Sequence, residues 1–230
     1  MDHKITITID GPAGVGKSTL GRRLAQSLGY RYVDSGALYR VVAWQARQIR
    51  LDPADREALA QMLVDFRPQV TAASQGFHVA VAGRDITQEL RTPEVTQSAS
   101  LVATQPQVRH WVNQLLQNLA RDGGVVAEGR DLGSVVFPDA AVKFFLDADL
   151  ATRASRRQKE WQNSGGSSDL SNTQSDIAAR DHRDKTRGTA PLAVPQGAHY
   201  LDTTNLQPEE VVTQCLAIIR ESPRARAVGI

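Results

Sequence analysis

The chain has 230 residues, of which 41% are hydrophobic and 23% charged, values typical of a soluble globular protein with one α/β domain or at most two small ones. Its 27 basic and 25 acidic residues leave a net charge of +2, too balanced for a nucleic-acid or membrane-surface binder. The single cysteine, Cys215, excludes an intrachain disulfide, and no apolar stretch approaches the roughly 18 residues of a membrane span. The first residues, MDHKITITIDG, lack the apolar core of a signal peptide, so we expect a cytoplasmic protein.

Strand-like and helix-like segments alternate along the chain. Residues 4–10 have β-branched and apolar side chains at alternate positions, which predicts a strand ending at Gly11. Leu20, Leu24 and Leu28 then have the spacing of one helix face. The later predicted strands are residues 30–34, residues 125–128, a run ending at 147, and residues 198–204. The later predicted helices are residues 36–50, a helix with Asp52 as N-cap and Pro53 in its first turn, and residues 92–103, 106–120, 151–161, 176–187 and 208–221.

Three segments depart from this alternation. Residues 68–85 alternate β-formers around a glycine-containing turn, which predicts a small antiparallel hairpin between helices. Residues 162–175 are rich in Gly, Ser and Asn, a composition typical of a mobile segment, and residues 222–230 suggest a frayed tail. The last helix should bury one face, formed by Val212, Cys215, Leu216 and Ile219. Together the segments predict a mostly parallel sheet covered on both faces.

Between the first strand and the first helix lies GPAGVGKST, residues 11–19. Glycines let backbone N–H groups converge on phosphate oxygens, and the helix N-terminus adds partial positive charge. Lys17 would bring a full charge to the β- and γ-phosphates of ATP, and the Ser18 hydroxyl can ligate Mg²⁺. The alternative is a glycine-rich turn before a capped helix, which would require neither a preceding strand nor a following amphipathic helix. Because both flank this segment, we interpret it as a P-loop. The candidate nucleotide-binding residues are Gly11, Pro12, Ala13, Gly14, Val15, Gly16, Lys17, Ser18 and Thr19.

The remaining motifs narrow the class of P-loop protein. A GTPase would need N-K-x-D after a late strand, where this chain has LDTTN. A kinase of the shikimate type would carry D-x-D after the second strand, where this chain has VDSGALYR. Arginines in or beside loops and helix starts suggest that the substrate that accepts the phosphoryl group is an anion, because one guanidinium group can bind two phosphate oxygens at once. They are Arg40, Arg91, Arg109, Arg130, Arg180 and Arg187.

Three further segments, DSGALYR, EGRDLGSVVFPDA and ARDHRDKTRGTAPL, together closely resemble bacterial cytidylate kinases in sequence, order and spacing. The resemblance extends from residue 5 to about residue 212. It implies transfer of a phosphoryl group from ATP to CMP or dCMP, with Mg²⁺, by a monomer. It also implies a P-loop NTPase fold with a five-stranded parallel sheet. The core would be residues 1–35, 109–152 and 191–222, the inserted CMP-binding part about 36–108, and a helical lid about 153–190.

The resemblance assigns roles to individual residues. Those that would hold the CMP phosphate are Ser35, Arg40 and Arg130. Those that would bind the cytosine ring are Ser100, Arg109 and Asp131, a set that suits the acceptors and the amine of cytosine. Those that would contact the ribose are Arg180 and Asp184. The catalytic set would be Lys17 and Arg130 with the lid arginines Arg153, Arg157, Arg183 and Arg187.

Helical spacing supports a lid independently of the resemblance. Arg180, Arg183, Asp184 and Arg187 fall on one helix face, and Arg153, Arg156 and Arg157 share another. The helix predicted at 176–187 has almost no apolar stripe, so we expect it to be weakly anchored and able to swing. In isolation, each arginine face would favour a solvated surface, and the matched motif around it favours the lid.

The role of Glu128 and two alternative functions stay open at the level of sequence. Glu128, where many relatives carry Asp, could position Mg²⁺ through water or could hold Arg130 or the P-loop. Asp10 is expected to accept hydrogen bonds that hold a loop. The alternative functions are a kinase of the same fold for UMP or dTMP, and a non-catalytic nucleotide-binding module.

Overall fold

A computed structural model describes residues 4–163 and 170–230. In those residues the strands are β1 (Thr6–Asp10), β2 (Arg31–Asp34), β3 (Gln69–Ala72), β4 (Phe77–Val81), β5 (Arg84–Asp85), β6 (Val125–Gly129), β7 (Val142–Asp147) and β8 (His199–Asp202). The helices are α1 (Lys17–Leu28), α2 (Ser35–Gln48), α3 (Arg56–Asp65), α4 (Pro93–Val102), α5 (Pro106–Ala120), α6 (Leu150–Asn163), α7 (Leu170–Thr186), α8 (Pro208–Glu221) and α9 (Pro223–Arg226). A 3-10 turn (Glu89–Arg91) and a π-helical turn (Leu132–Val136) complete them.

Five strands form one parallel sheet in the order β2-β6-β1-β7-β8, which confirms the predicted fold class. β1 lies at the centre, with Asp10 opposite Gly129 of β6 and Phe145 of β7. All the carboxyl ends therefore meet at one edge, and the chain segments that leave β1, β2, β6 and β7 begin there. Ligands bind at this edge in open α/β sheets, where neighbouring connections diverge.

Both faces of the sheet are covered. Successive strand residues point to opposite faces, and in β1 the neighbours Ile7, Thr8, Ile9 and Asp10 are all fully buried. The β6 run Val125–Ala127 is equally buried, as expected for a strand inside a parallel sheet. Two layers of helix therefore fix the sheet and hold its carboxyl edge rigid.

Glycines set both ends of α1. Gly16 before the helix has φ of 98° and Gly29 after it has φ of 63°, left-handed conformations that favour glycine. At the next helix, the Asp34 carboxylate accepts a hydrogen bond from the Ala37 N–H at 2.9 Å and so caps α2. These two starts place the P-loop and residues 34–36 at the same edge of the sheet.

The segment predicted as a hairpin is antiparallel, as expected, and has a third strand. β3 pairs with β4 and β4 pairs with β5. The side chains of Phe77 and Val79 are buried on one face of this small sheet. Among the described residues, no helix is both long and apolar enough to cross a membrane.

The start predicted for α3 is wrong. The helix begins at Arg56, and its N-cap is Asp55, whose carboxylate accepts from the Ala58 N–H at 3.0 Å. Asp52 instead accepts from the Ala54 N–H at 2.8 Å in the turn before the helix. Both aspartates satisfy a backbone donor, so composition alone did not separate a helix cap from a turn.

Two segments predicted to lack regular structure contain helix. Residues 170–175 belong to α7, and residues 164–169 of the predicted mobile segment lie outside the described residues. The tail forms α9, where Ala225 is buried and Arg224 donates to the Asp139 carbonyl at 2.8 Å. On α8 the fully buried residues are Val211, Cys215 and Ile219, whereas Val212 and Leu216 are partly buried.

The Cys215 thiol provides a test of this core. It is fully buried, and burial raises its pKa to about 12. At pH 8 only about one thiol in ten thousand would then be ionised, so a thiol reagent should react at the rate of unfolding. We expect labelling of the native chain to be slow and labelling in denaturant to be complete within seconds to minutes, with Cys215→Ala as the blank. Fast labelling of the native chain would contradict this packing of α8.

Candidate active site

The P-loop leaves β1 and surrounds the start of α1. Gly11, Gly14 and Gly16 all have positive φ, and a Cβ at Gly11 would collide with the Leu146 carbonyl oxygen. Lys17 is buried and folds back over the loop, where its Nζ donates to the carbonyl oxygens of Gly11 at 2.8 Å and Pro12 at 2.6 Å. The three glycines are therefore required by backbone conformation, and Lys17 lies in the concavity that they form.

A cleft of about 450 Å³ opens above this loop. It is lined by the P-loop, the starts of α1 and α2, part of α4, the end of β6, and one side each of α6 and α7. Most of its polar side chains come from segments far apart in sequence. The cations that line it are Lys17, Arg40, Arg130, Arg157, Arg180, Arg183 and Arg187, and the carboxylates are Asp34, Glu128, Asp131, Glu160, Asp176 and Asp184.

The residues predicted to hold a substrate phosphate come together on one side of this cleft. Arg40 Nη2 donates to Asp34 Oδ2 at 2.7 Å, and Arg130 Nε donates to Asp184 Oδ2 at 2.9 Å. Ser35 is buried against Gly129, where a Cβ would lie 2.8 Å from its Oγ. A side chain at residue 129 would therefore displace Ser35 from the cleft.

Ser100 and Asp131, two of the three residues predicted to bind a base, line the same cleft. Asp131 pairs with Arg109 on one oxygen and with Arg187 at 2.9 Å on the other. Ser100 Oγ accepts from Arg183 Nε at 3.0 Å. Arg109 lies behind Asp131, is buried, and packs over the Tyr39 ring at 5.6 Å from its centroid. Arg109 thus orients Asp131 in this structure without lining the cleft itself.

Arg153 differs from its predicted position on the phosphates. Its guanidinium lies behind the P-loop, where it donates to the carbonyl oxygens of Ala13 at 3.1 Å and Ala148 at 2.9 Å and pairs with Asp181. Asp181 and these carbonyls draw the side chain away from the cleft. Arg157 does line the cleft and pairs with Glu160 at 3.0 Å.

Arg156 points away from the other two arginines of its predicted face. Its Nη2 donates to the Thr203 carbonyl at 2.6 Å, beyond the end of β8. Residues at positions i, i+3 and i+4 share a face only approximately, and long side chains follow the nearest acceptors. The arginines of α6 therefore have three different environments.

The second predicted lid helix, α7, is better anchored than its sequence suggests. Ile177 is buried in a small apolar cluster with Ala13 of the P-loop and Ala154 of α6. Asp181 and Asp184 are also buried, and each pairs with an arginine. Polar contacts thus replace the apolar stripe whose absence suggested a weakly held helix.

Glu128 contacts a residue that the sequence analysis missed. The Tyr32 hydroxyl donates to the Glu128 carboxylate, and Glu128 also shares a hydrogen bond with the Ser18 side chain. Of the open alternatives, a hydrogen bond to Arg130 does not occur, and the link to the P-loop does. Burial raises the pKa of the Glu128 carboxyl, as does the nearby Asp34. Tyr32 gave no signal because a strand tyrosine is usually a packing residue.

The pKa values of two cations at this edge of the sheet, Lys17 and Arg180, are lowered. Burial, with Arg130 nearby, lowers the pKa of Lys17 to about 7 and the pKa of Arg180 to about 9. Among the described residues, no carboxylate lies within salt-bridge distance of either side chain. Cations that are buried without an ionic partner favour an anionic ligand.

Asp10 has the loop-holding role that the sequence predicted. Its buried carboxylate accepts from the N–H groups of Leu132 at 2.9 Å and Gly133 at 2.7 Å. These bonds fix the chain directly after Arg130 and Asp131. Burial raises the pKa of Asp10 to about 6 although both hydrogen bonds oppose that rise.

The fold and site together define the class: a P-loop protein with an arginine-rich cleft beside the loop. The family model for cytidylate kinase matches residues 7–221. Cytidylate kinase of Pasteurella multocida is 42% identical over 96% of this chain and 97% of its own, and that of Ligilactobacillus salivarius is 42% identical over 96% and 99%. A structure of an uncharacterised protein from Eubacterium ventriosum has the same fold, with a TM-score of 0.52, 10% identity, and coverage of 95% of this chain and 99% of its own.

The chain belongs to the cytidylate kinase family.

The Asp10 contacts predict a measurable effect on stability. The folded carboxyl keeps its proton up to about pH 6, whereas an unfolded aspartate loses it near pH 4. This group's contribution to the free energy of unfolding is therefore largest below about pH 4 and declines as pH rises to about 6. In Asp10→Asn that decline should be absent from urea titrations between these pH values.

The control for this measurement is Asp122→Asn, since Asp122 is exposed. Asp10→Asn should also turn over substrate on the order of tenfold more slowly, because its amide offers only one acceptor oxygen to the two N–H donors. The same pH dependence in wild type and Asp10→Asn would contradict the raised pKa.

Proposed function

We propose that this chain transfers the γ-phosphoryl group of ATP to CMP or dCMP, giving ADP and CDP or dCDP. The observation that carries the proposal is a single cleft that joins a P-loop to a second set of arginines, Arg40 and Arg130. Membership of the cytidylate kinase family supplies the identity of both substrates. We further propose that the enzyme is a cytoplasmic monomer, since one chain supplies both sides of the cleft.

The donor would occupy the P-loop. Backbone N–H groups of the loop and the start of α1 would surround the β- and γ-phosphates. Lys17 would exchange its two carbonyl contacts for phosphate oxygens, which removes the unfavourable burial of an ammonium without an ionic partner. An anion at this position would therefore raise the pKa of Lys17.

The acceptor would lie on the opposite side of the cleft. Ser35, Arg40 and Arg130 would hold the CMP phosphate, and Arg180 and Asp184 would contact the ribose. Its base would reach Ser100 and Asp131, with Asp131 held by Arg109. A carboxylate accepts from the cytosine amine, whereas uracil presents a carbonyl oxygen at that position, and this difference favours CMP over UMP.

The residues near Ser18 fit a magnesium ion. Ser18 and Glu128 offer a hydroxyl and a carboxylate at the mouth of the P-loop, and hard divalent cations prefer oxygen ligands of this kind. Bound there with ATP, Mg²⁺ would neutralise charge on the β- and γ-phosphates. Ser18 would ligate the ion directly and Glu128 would hold one of its waters.

Phosphoryl transfer to a phosphate needs no general base, because the nucleophile is already an ionised oxygen. The chain's task is to overcome repulsion between two polyanions and to exclude water. Arg157, Arg183 and Arg187 line the cleft and would stabilise charge on the transferring group. We propose that α6 and α7 form the lid of about residues 153–190, and that residues 36–108 form the CMP-binding part.

The direct test is a coupled ADP-release assay with MgATP and CMP, dCMP, UMP, AMP, GMP or dTMP. We expect rapid turnover with CMP and dCMP, far slower turnover with UMP, and loss of all turnover when EDTA removes the magnesium. Lys17→Met is the background control. Turnover led by UMP or dTMP would favour a kinase for another acceptor. Turnover with none of them would favour a nucleotide-binding module.

The ion pairs of Asp131 predict a specific mutational pattern. Asp131→Ala removes the carboxylate that pairs with Arg109, while Arg187 keeps its longer contact with Asp184 at 3.7 Å, and breaking such a buried pair should cost about 3–5 kcal/mol of unfolding free energy. Adding Arg109→Met should restore part of that stability while the preference for CMP over UMP falls. Denaturant titration and the ratio of kcat/KM for the two substrates measure both effects. An unchanged CMP preference in the double variant would contradict the role of this pair.

A further inference from the structure

Ala13 of the P-loop is held on both of its main-chain polar groups by residues of α6 and α7. Its N–H donates to Asp181 Oδ1 at 3.1 Å, and its carbonyl oxygen accepts from Arg153 Nη1 at 3.1 Å. The two side chains come from positions 140 and 168 residues further along the chain. The third residue of the P-loop is therefore fixed by side chains of α6 and α7 that lie behind the loop.

Arg153 and Asp181 also bind each other. Arg153 Nη1 pairs with Asp181 Oδ2, and Arg153 Nε donates to the Ala148 carbonyl at 2.9 Å. Each residue is only 7% exposed. A buried ion pair stabilises a structure only when its geometry and its remaining hydrogen bonds are satisfied, and here Ala13 and Ala148 satisfy them.

The surroundings of the pair include apolar side chains and are closely packed. Ala13, Ala154 and Ile177 form an apolar cluster with Leu150 packed against it. Gly14 approaches α6 so closely that a Cβ would lie 2.8 Å from the Arg153 carbonyl oxygen, and its φ of 75° also favours glycine. Low local polarity strengthens the attraction between the two charges and makes their separation costly.

Helix α7 contacts the P-loop and the cleft through neighbouring positions. Ile177 packs against Ala13 and also lines the cleft, and Asp181 accepts from the Ala13 N–H. Arg180, Arg183 and Asp184, all within one turn of Asp181, line the cleft as well. Because a helix turn is rigid, a shift of the Asp181 anchor moves these cleft residues with it.

We propose that Asp181, acting with Arg153, is a positioning residue that couples the backbone geometry of the P-loop to the placement of the α7 side chains on the substrates. The expected effect on kcat rests on the proposed function, whereas the structural coupling between the P-loop and α7 does not. Because the Ala13 N–H donates to Asp181, the phosphate would be bound by the backbone N–H groups of the residues that follow Ala13. The same carboxylate sets where Arg180 and Arg183 meet the substrates.

The first test is Asp181→Asn, which keeps an acceptor for the Ala13 N–H and removes the charge that holds Arg153. We expect kcat to fall on the order of 100-fold, as for a misplacement of about 1 Å, with KM for CMP changed by about threefold or less. His182→Gln is the matched control, because His182 is the exposed neighbour on the same helix. An effect on KM alone, or equal effects in both variants, would overturn the proposal.

The second test does not depend on activity. In hydrogen exchange followed by mass spectrometry, Asp181→Asn should increase exchange in peptides covering residues 11–16 and residues 176–187 together. Increased exchange in only one of the two would show that the contact does not couple them. Absence of CMP kinase activity in wild type, with coupled exchange retained, would overturn the function and leave this inference standing.

A double variant separates a loss of kcat from a loss of folding. Asp181→Leu with Arg153→Met replaces the pair by apolar side chains of similar volume, a change that buried pairs often tolerate. We expect a chain that is folded by circular dichroism, with the kcat loss of the single variant retained. Wild-type kcat in the double variant would show that the pair is structural only.

Discussion

Bringing several cations into one partly buried cleft is the constraint on which the rest of this structure depends. Burial, together with the charge of Arg130, lowers the pKa of Lys17 and the pKa of Arg180. Arg130 and Arg187 are compatible with this site because carboxylates from distant segments, Asp184 and Asp131, pair with them. Charge balance therefore acts together with apolar packing where α2 and α7 meet the sheet edge around the cleft.

Each of these carboxylates connects two parts of the chain. Asp184 of α7 holds Arg130 beyond β6, and Asp131 holds Arg187 beyond α7. Asp181 joins α7 to the P-loop in the same way. Phosphates that enter the cleft would compete with these carboxylates for the arginines. Substrate binding and the relative placement of the segments are thus two aspects of one set of ionic contacts.

The fold was largely predictable because its signals are local. Alternating strands and helices specify a parallel sheet, and the glycines of residues 11–16 specify a loop with positive φ values. The failures were also local ambiguities. Asp52 and Asp55 are equivalent as caps on composition alone, and the helicity of residues 170–175 depends on burying Thr173 and Ile177. The buried position of Ala225 likewise gives order to a tail whose own sequence has little preference.

The site was predictable in residue type and only partly in arrangement. Spacing and resemblance identified the arginines, and eleven of the cleft's thirteen charged side chains came from the quoted motifs or the two arginine faces. Which carboxylate each arginine would choose depends on tertiary structure, so Arg153 was expected on the phosphates and lies behind the P-loop. Tyr32 went unnoticed because its partner, Glu128, is 96 residues away.

The central claim is that one cleft holds donor and acceptor phosphates together. The most direct measurement is calorimetric titration with cytidine and adenosine joined by five phosphates. The account predicts one molecule bound per chain, competition with both CMP and ATP, and affinity on the order of 100-fold or more above that of CMP alone. Binding of two molecules per chain, or competition with ATP only, would contradict it.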